Sequence, residues 1–166
     1  MATTYDKIAT TTLGSAAASI TFSTIAASWT DLRLVLIASV DTYSPGWIRF
    51  NSDSGNNYSF TNLDGNGSYA SSSQYSLYSK IVAGKSSLQI SSNWSFYTLD
   101  IFSYTGSTYK TSLLSESADH NGYGDASVQV NLWQSTSAIT SINLLLSGTQ
   151  NYAAGTTATL YGIKAA

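Results

Sequence analysis

An all-β fold, an antiparallel two-sheet sandwich of jelly-roll type with ten to twelve short strands, follows from three features of the sequence. Glycines and Ser/Thr/Asn clusters recur at short intervals, with a single proline, Pro45. Between them lie short runs rich in Val, Ile, Leu, Thr, Tyr, Phe and Trp, the composition of strands separated by turns. No stretch keeps apolar residues at i, i+3, i+4 and i+7 for three turns, so no helix is expected beyond one turn within residues 23–29. Without helices to cover parallel crossovers, pairing should be antiparallel and the sheets should cover each other. A closed barrel is the alternative. The absence of an internal repeat at fixed period argues against a propeller or β-helix.

Taken in order, strands are expected at residues 5–9 and 18–23. Residues 31–40 read almost continuously apolar, which predicts a central strand covered on both faces. Residues 46–51 place Ile48 and Phe50 on one face, Trp47 and Arg49 on the other. Strands at 58–63, 74–82 and 86–91 follow. Residues 94–104 change parity between Phe96 and Tyr97, which predicts a bulge or two-faced burial. A strand at 109–118 comes next. Val128, Val130 and Leu132 then alternate with Gln129 and Asn131, the pattern of a half-buried strand. Strands at 139–147 and 157–164 close the chain. The longest loops are expected at 42–46, 52–57, 64–73 and 119–125.

Length and charge bound the function. The 166 residues suit one domain, residues 1–166. A chain of this size buries roughly 70% of its unfolded surface, so it folds without staples, and with no cysteine it has none. Charged residues are only 10%, with a net charge of -2. No basic patch can form, which argues against nucleic acid. The surface must instead be Ser, Thr, Asn, Gly and Tyr, polar but uncharged, and little affected by salt. The first 30 residues lack the pattern of a signal peptide, and the longest apolar run, residues 34–38, is far too short to cross a bilayer. Asn57, Asn66 and Asn93 begin Asn-x-Ser sequons, which matter only in a chain secreted by a eukaryote.

Chemistry is sparsely represented. His120 is the only histidine, and Ser115 or Ser117 beside it evokes a Ser-His-Asp arrangement, although serine is too abundant for that neighbourhood to be informative. The acids Asp6, Asp31, Asp41, Asp53, Asp64, Asp100, Glu116, Asp119 and Asp125 could in principle pair for glycoside cleavage, yet most fall at turns or strand ends, where Asp serves the backbone. Residues 53–57 (DSGNN) and 64–67 (DGNG) offer oxygen ligands of the kind calcium takes, without EF-hand spacing. No glycine-rich phosphate loop leads into a helix. The expectation is therefore no catalytic residue, no cofactor, no metal and no enzymatic activity. Tyr58, Tyr69, Tyr75, Tyr78 and Tyr123, in or beside expected loops, leave room for a binding surface.

Three stretches are more specific. Residues 48–59 (IRFNSDSGNNYS), residues 136–142 (TSAITSI) with 151–164 (NYAAGTTATLYGIK), and the opening 5–9 (YDKIA) resemble a broad group of tailed-phage virion proteins, common in cyanophages. The resemblance spans nearly the whole chain. It departs at Tyr152, where the pattern has Phe, and at Ser52, where it often has Gly. It implies a β-sandwich module of the kind found as capsid cement (decoration) proteins and as terminal modules of tail fibres. It carries no catalytic residue; its motifs would be structural, with a turn at 51–57 and a last strand placed by Leu160, Tyr161 and Ile163. A start at Met1 without a fibrous stalk points to the head. The expectation is a decoration protein on the capsid exterior, made in the host cytoplasm. It would bind the major capsid protein as a homotrimer, without nucleic acid or membrane. The alternative is a receptor-binding tail module that recognises host glycans.

Overall fold

A computed structural model describes residues 4–88, 93–120 and 122–164, with residues 84–88 as backbone only. The strands are β1 (Tyr5–Thr12), β2 (Ser19–Phe22), β3 (Asp31–Ala38), β4 (Ser44–Phe50), β5 (Tyr58–Gly65), β6 (Ala70–Tyr78), β7 (Ile81–Leu88), β8 (Ser95–Ile101), β9 (Lys110–Asp119), β10 (Gly124–Trp133), β11 (Ile142–Leu146) and β12 (Thr157–Ile163). They form an eight-stranded sheet, in the order β1-β12-β3-β8-β9-β10-β5-β6, and a four-stranded sheet, β2-β11-β4-β7. All the pairings are antiparallel. The two sheets make the sandwich that the strand-and-turn pattern predicts.

Side chains alternate across each sheet with a period of two, and the inward set forms the core. Leu32, Leu34 and Leu36 of β3, Leu99 and Ile101 of β8, and Ala158 and Leu160 of β12 meet Ile142 and Leu144 of β11 and Ile48 and Phe50 of β4 in one buried cluster. Burying each large aliphatic side chain here contributes about 1.5–3 kcal/mol.

The family-like motifs act as ties within this frame. Asp6 accepts from the Trp29 indole N–H at 3.1 Å and pairs with Lys164 at 3.1 Å, joining the first strand to the last. Asn51, at φ 53°, accepts from the backbone N–H of Thr140 (2.8 Å) and Ser141 (3.1 Å) and donates to Ala138 O (2.8 Å). It therefore clamps two of the motif stretches together. Asp53 accepts from Gly55 N (2.8 Å), Asn57 Nδ2 (2.9 Å) and Trp133 Nε1 (2.7 Å), so the 51–57 segment is a turn pinned to β10. Asp41 accepts from Asn151 N (2.9 Å) and Nδ2 (3.0 Å). Gly162 lies flat against Trp29, where a Cβ would run into the indole.

Several expectations are corrected. β3 is interior to its sheet but covered on one face only, and Ile37 is 42% exposed. β8 pairs with β3 and β9 without a bulge; Tyr97 points into the core and Phe96 points out. The strand expected at 74–82 is two, broken at Ser79 and Lys80, where Ser79 O accepts from Arg49 Nε (3.1 Å). The loop expected at 64–73 is largely a hairpin: the serines of β6 have weak strand preference, but pairing with the strongly strand-forming β5 overrides it. β4 begins at Ser44, inside the expected 42–46 loop. Residues 23–29 form no helical turn. Of the strand expected at 86–91, residues 89–91 lie outside the described residues.

Candidate functional site

Residues that looked chemical in the sequence are placed apart. His120 Nε2 meets Asp125 Oδ2 at 2.6 Å across the β9–β10 turn, and its ring stacks on Tyr123 at 4.6 Å. Ser115 and Ser117 project from the outward side of β9, and no described serine hydroxyl bonds to His120. Asp6, Asp41 and Asp53 serve as the ties above. Asp31 accepts from Ser103 N (2.6 Å), and Arg33 forks onto Asp100 (2.5 and 2.7 Å). Asp119 ends β9 opposite Gly124.

The leading carboxylates of the two calcium-like loops accept from protein donors. Around Asp53 partial burial pushes the carboxyl up. Hydrogen bonds from Trp133, Asn57 and Gly55, with Arg49 nearby, outweigh it and hold the group below the usual carboxylate range. Asp64 accepts from Asn62 Nδ2 and Ser71 Oγ, and Asn66 Oδ1 caps Ser68 and Tyr69 N–H groups. Among the described residues no three His, Asp or Glu side chains gather as metal ligands.

The informative feature is β10. Alternation correctly marks it as half-buried, but its faces are the reverse of what hydropathy suggests. Ser127, Gln129 and Asn131 point inward and are at most 4% exposed, whereas Val128 and Val130 point outward at 46% and 54%. Its neighbour β5 repeats the inversion, with Asn62 inside (1%) and Leu63 outside (62%). Leu63 and Val128 are directly opposite in register.

On the inner side, four strands cannot cover eight. The edge strand β7 lies over β9, β10 and β5, and β6 extends beyond it. A hollow of about 150 Å³ opens there, lined by Phe60 and Asn62 of β5, Tyr75 and Tyr78 of β6, Val82 of β7 and Gln129 of β10. The polar groups beneath it are linked: Ser73 Oγ donates to Asn62 Oδ1 (2.6 Å), and Gln129 Nε2 donates to Asn131 Oδ1 (2.5 Å) and Val82 O (3.2 Å). Of the five tyrosines singled out from sequence, Tyr75 and Tyr78 join this hollow. Tyr58 is buried beside Trp133, and burial drives its phenol far above the usual range. Tyr69 and Tyr123 are exposed on separate turns.

On the outer side, two successive cross-strand rows carry no charge across all eight strands. One runs from Thr10 on β1 through Val35, Thr98 and Val128 to Leu63 and Ser72; the next runs from Thr12 through Ile37, Phe96 and Ala126 to Gly65 and Ala70. The adjoining row carries Lys7 as well as Arg33 and Asp100, which pair with each other. Compared with family models, curated proteins and solved structures, the chain finds no match in any of the three. The two faces of the β5–β10 region are therefore read on their own chemistry.

Proposed function

We propose that the chain is a virion structural protein of a tailed phage, a head decoration protein that sits on the capsid exterior and stabilises the shell. The observation that carries this reading is the inverted polarity of β10 and β5. A sheet that faced only water would place Gln129 and Asn131 outside and Val128, Val130 and Leu63 inside. An outer face of aliphatic and hydroxyl side chains, nearly free of net charge, suits docking against another protein surface. The resemblance of residues 5–9, 48–59, 136–142 and 151–164 to phage virion proteins supplies the kind of partner, the major capsid protein. Self-association into a homotrimer at local three-fold positions would multiply weak contacts into firm attachment.

Cryo-electron microscopy of the virion tests this. Density for the chain over the shell is expected, with the β10–β5 outer face turned to the capsid or to a sister copy. Density confined to the tail would overturn it and favour the second reading, a tail-fibre module that recognises host glycans. That reading draws on one observation, the aromatic hollow of Phe60, Tyr75 and Tyr78.

A further inference from the structure

We infer that the hollow between β5, β6, β7 and β10 is a binding site for a single ring of a neutral saccharide. The inference stands apart from whether the protein sits on the head or the tail. Tyr75 and Tyr78 are three residues apart, a spacing that puts side chains on opposite faces of a regular strand. A β-bulge brings them to the same side: Phe60 pairs with Tyr75 and Tyr58 with Tyr78, so β6 spends one residue more than β5. The extra length is taken up at Leu77, a non-glycine residue at φ 60° that is 72% exposed. Left-handed backbone at such a residue costs on the order of 1 kcal/mol and persists where the surroundings impose it. Its consequence here is a three-sided aromatic wall. Phe60 lies 4.9 Å from Tyr75 and 5.3 Å from Tyr78, and the two tyrosine rings are 5.5 Å apart.

The floor beside that wall is amide. Asn62 and Gln129 are directly opposite each other in register and are 1% and 3% exposed. Their bonds to Ser73, Asp64, Asn131 and Val82 fix the amide orientations. The Gln129 Oε1 atom and the hydroxyls of Tyr75 and Tyr78 make no hydrogen bond among the described residues. Aromatic faces accept the C–H face of a pyranose, and amides and phenols donate to and accept from its hydroxyls. An apolar ligand would strip water from the amides without replacing its bonds. Among the described residues no charged side chain lines the hollow, which disfavours phosphates and acidic sugars. At about 150 Å³ it is smaller than the roughly 300 Å³ at which drug-sized pockets begin, so it takes one ring.

The test is saturation-transfer NMR on the full chain with methyl glycosides of glucose, galactose, mannose, rhamnose and N-acetylglucosamine, with N-acetylneuraminic acid as the charged comparator. At least one neutral glycoside should bind, more tightly than the charged sugar. Tyr75→Ala should weaken it about tenfold, and Gln129→Leu should weaken it as well. Tyr123→Ala, on a separate turn, should leave it unchanged. No transfer to any neutral glycoside would overturn the inference, as would binding untouched by both Tyr75→Ala and Gln129→Leu. Should these variants not fold, the side-chain amide signals of Asn62 and Gln129 in the unaltered protein decide: shifts on titration support the site, and their absence overturns it.

Discussion

On β3 and β8 one inward row reads Leu34 beside Leu99; three strands beyond β3, on β10 and β5, the same row reads Gln129 beside Asn62. The aliphatic end lies beneath β11 and β4 and holds the sheets together by burial. The amide end lies where the smaller sheet runs out, and its side chains are held by hydrogen bonds to one another. The outer face mirrors the difference. Outside β10 and β5 it is aliphatic, whereas outside β12 and β1 it is a threonine ladder, with Thr10 and Thr12 bonded to Thr159 and Thr157 at 3.1 Å. One sheet thus separates a region that makes the fold from a region whose outer face is the proposed docking surface.

Mutations should separate the two ends. Leu99→Ala at the aliphatic end removes a fully buried side chain between closely packed neighbours, and urea unfolding should show a loss of about 2–5 kcal/mol. Asp53→Asn keeps the turn's shape but weakens the charge-assisted bonds to Trp133 and Asn57; about 1–2 kcal/mol should be lost at neutral pH. Because the Asp53 carboxyl is held below its usual range in the folded protein, its contribution is complete above the ordinary carboxylate pKa and fades as pH falls through the depressed value. The melting difference between wild type and Asp53→Asn should therefore shrink in acid; a constant difference would show that the charge contributes nothing. Gln129→Leu at the amide end should cost about 1 kcal/mol, since Asn131 Oδ1 and Val82 O lose their donor and apolar burial offsets only part of that. The smallest effect is expected outside: Val128→Thr should stay within about 0.5 kcal/mol.

The strand pattern was legible because turn residues and β-branched runs are local signals. β12 and β3 could be placed to within a few residues from Thr157–Ile163 and the apolar run after Asp31. The β5–β6 hairpin was not, because a serine run such as residues 71–73 looks like a loop until it has a partner strand. The bulge at Leu77 has no local signature either. Tyr75 and Tyr78 could be singled out as aromatics near a turn, but their convergence depends on that bulge. Gln129 and Asn62 could not be found at all. An amide that alternates with valine reads as the wet side of a strand, and only the shortfall of four strands over eight turns that side inward. What could have raised suspicion is the shortage of charges to mark the outside, only 10% of the residues.

The most direct measurement is cosedimentation of the purified chain with phage heads that lack it, at about 0.1 and 1 M salt, for wild type and Val128→Asp. An interface made by the uncharged outer face should bind equally at both salts, because only charge–charge contacts are screened, and Val128→Asp should abolish binding while the variant remains folded. Binding lost at high salt, or binding that survives Val128→Asp, would contradict an attachment through the outer face of β10 and β5.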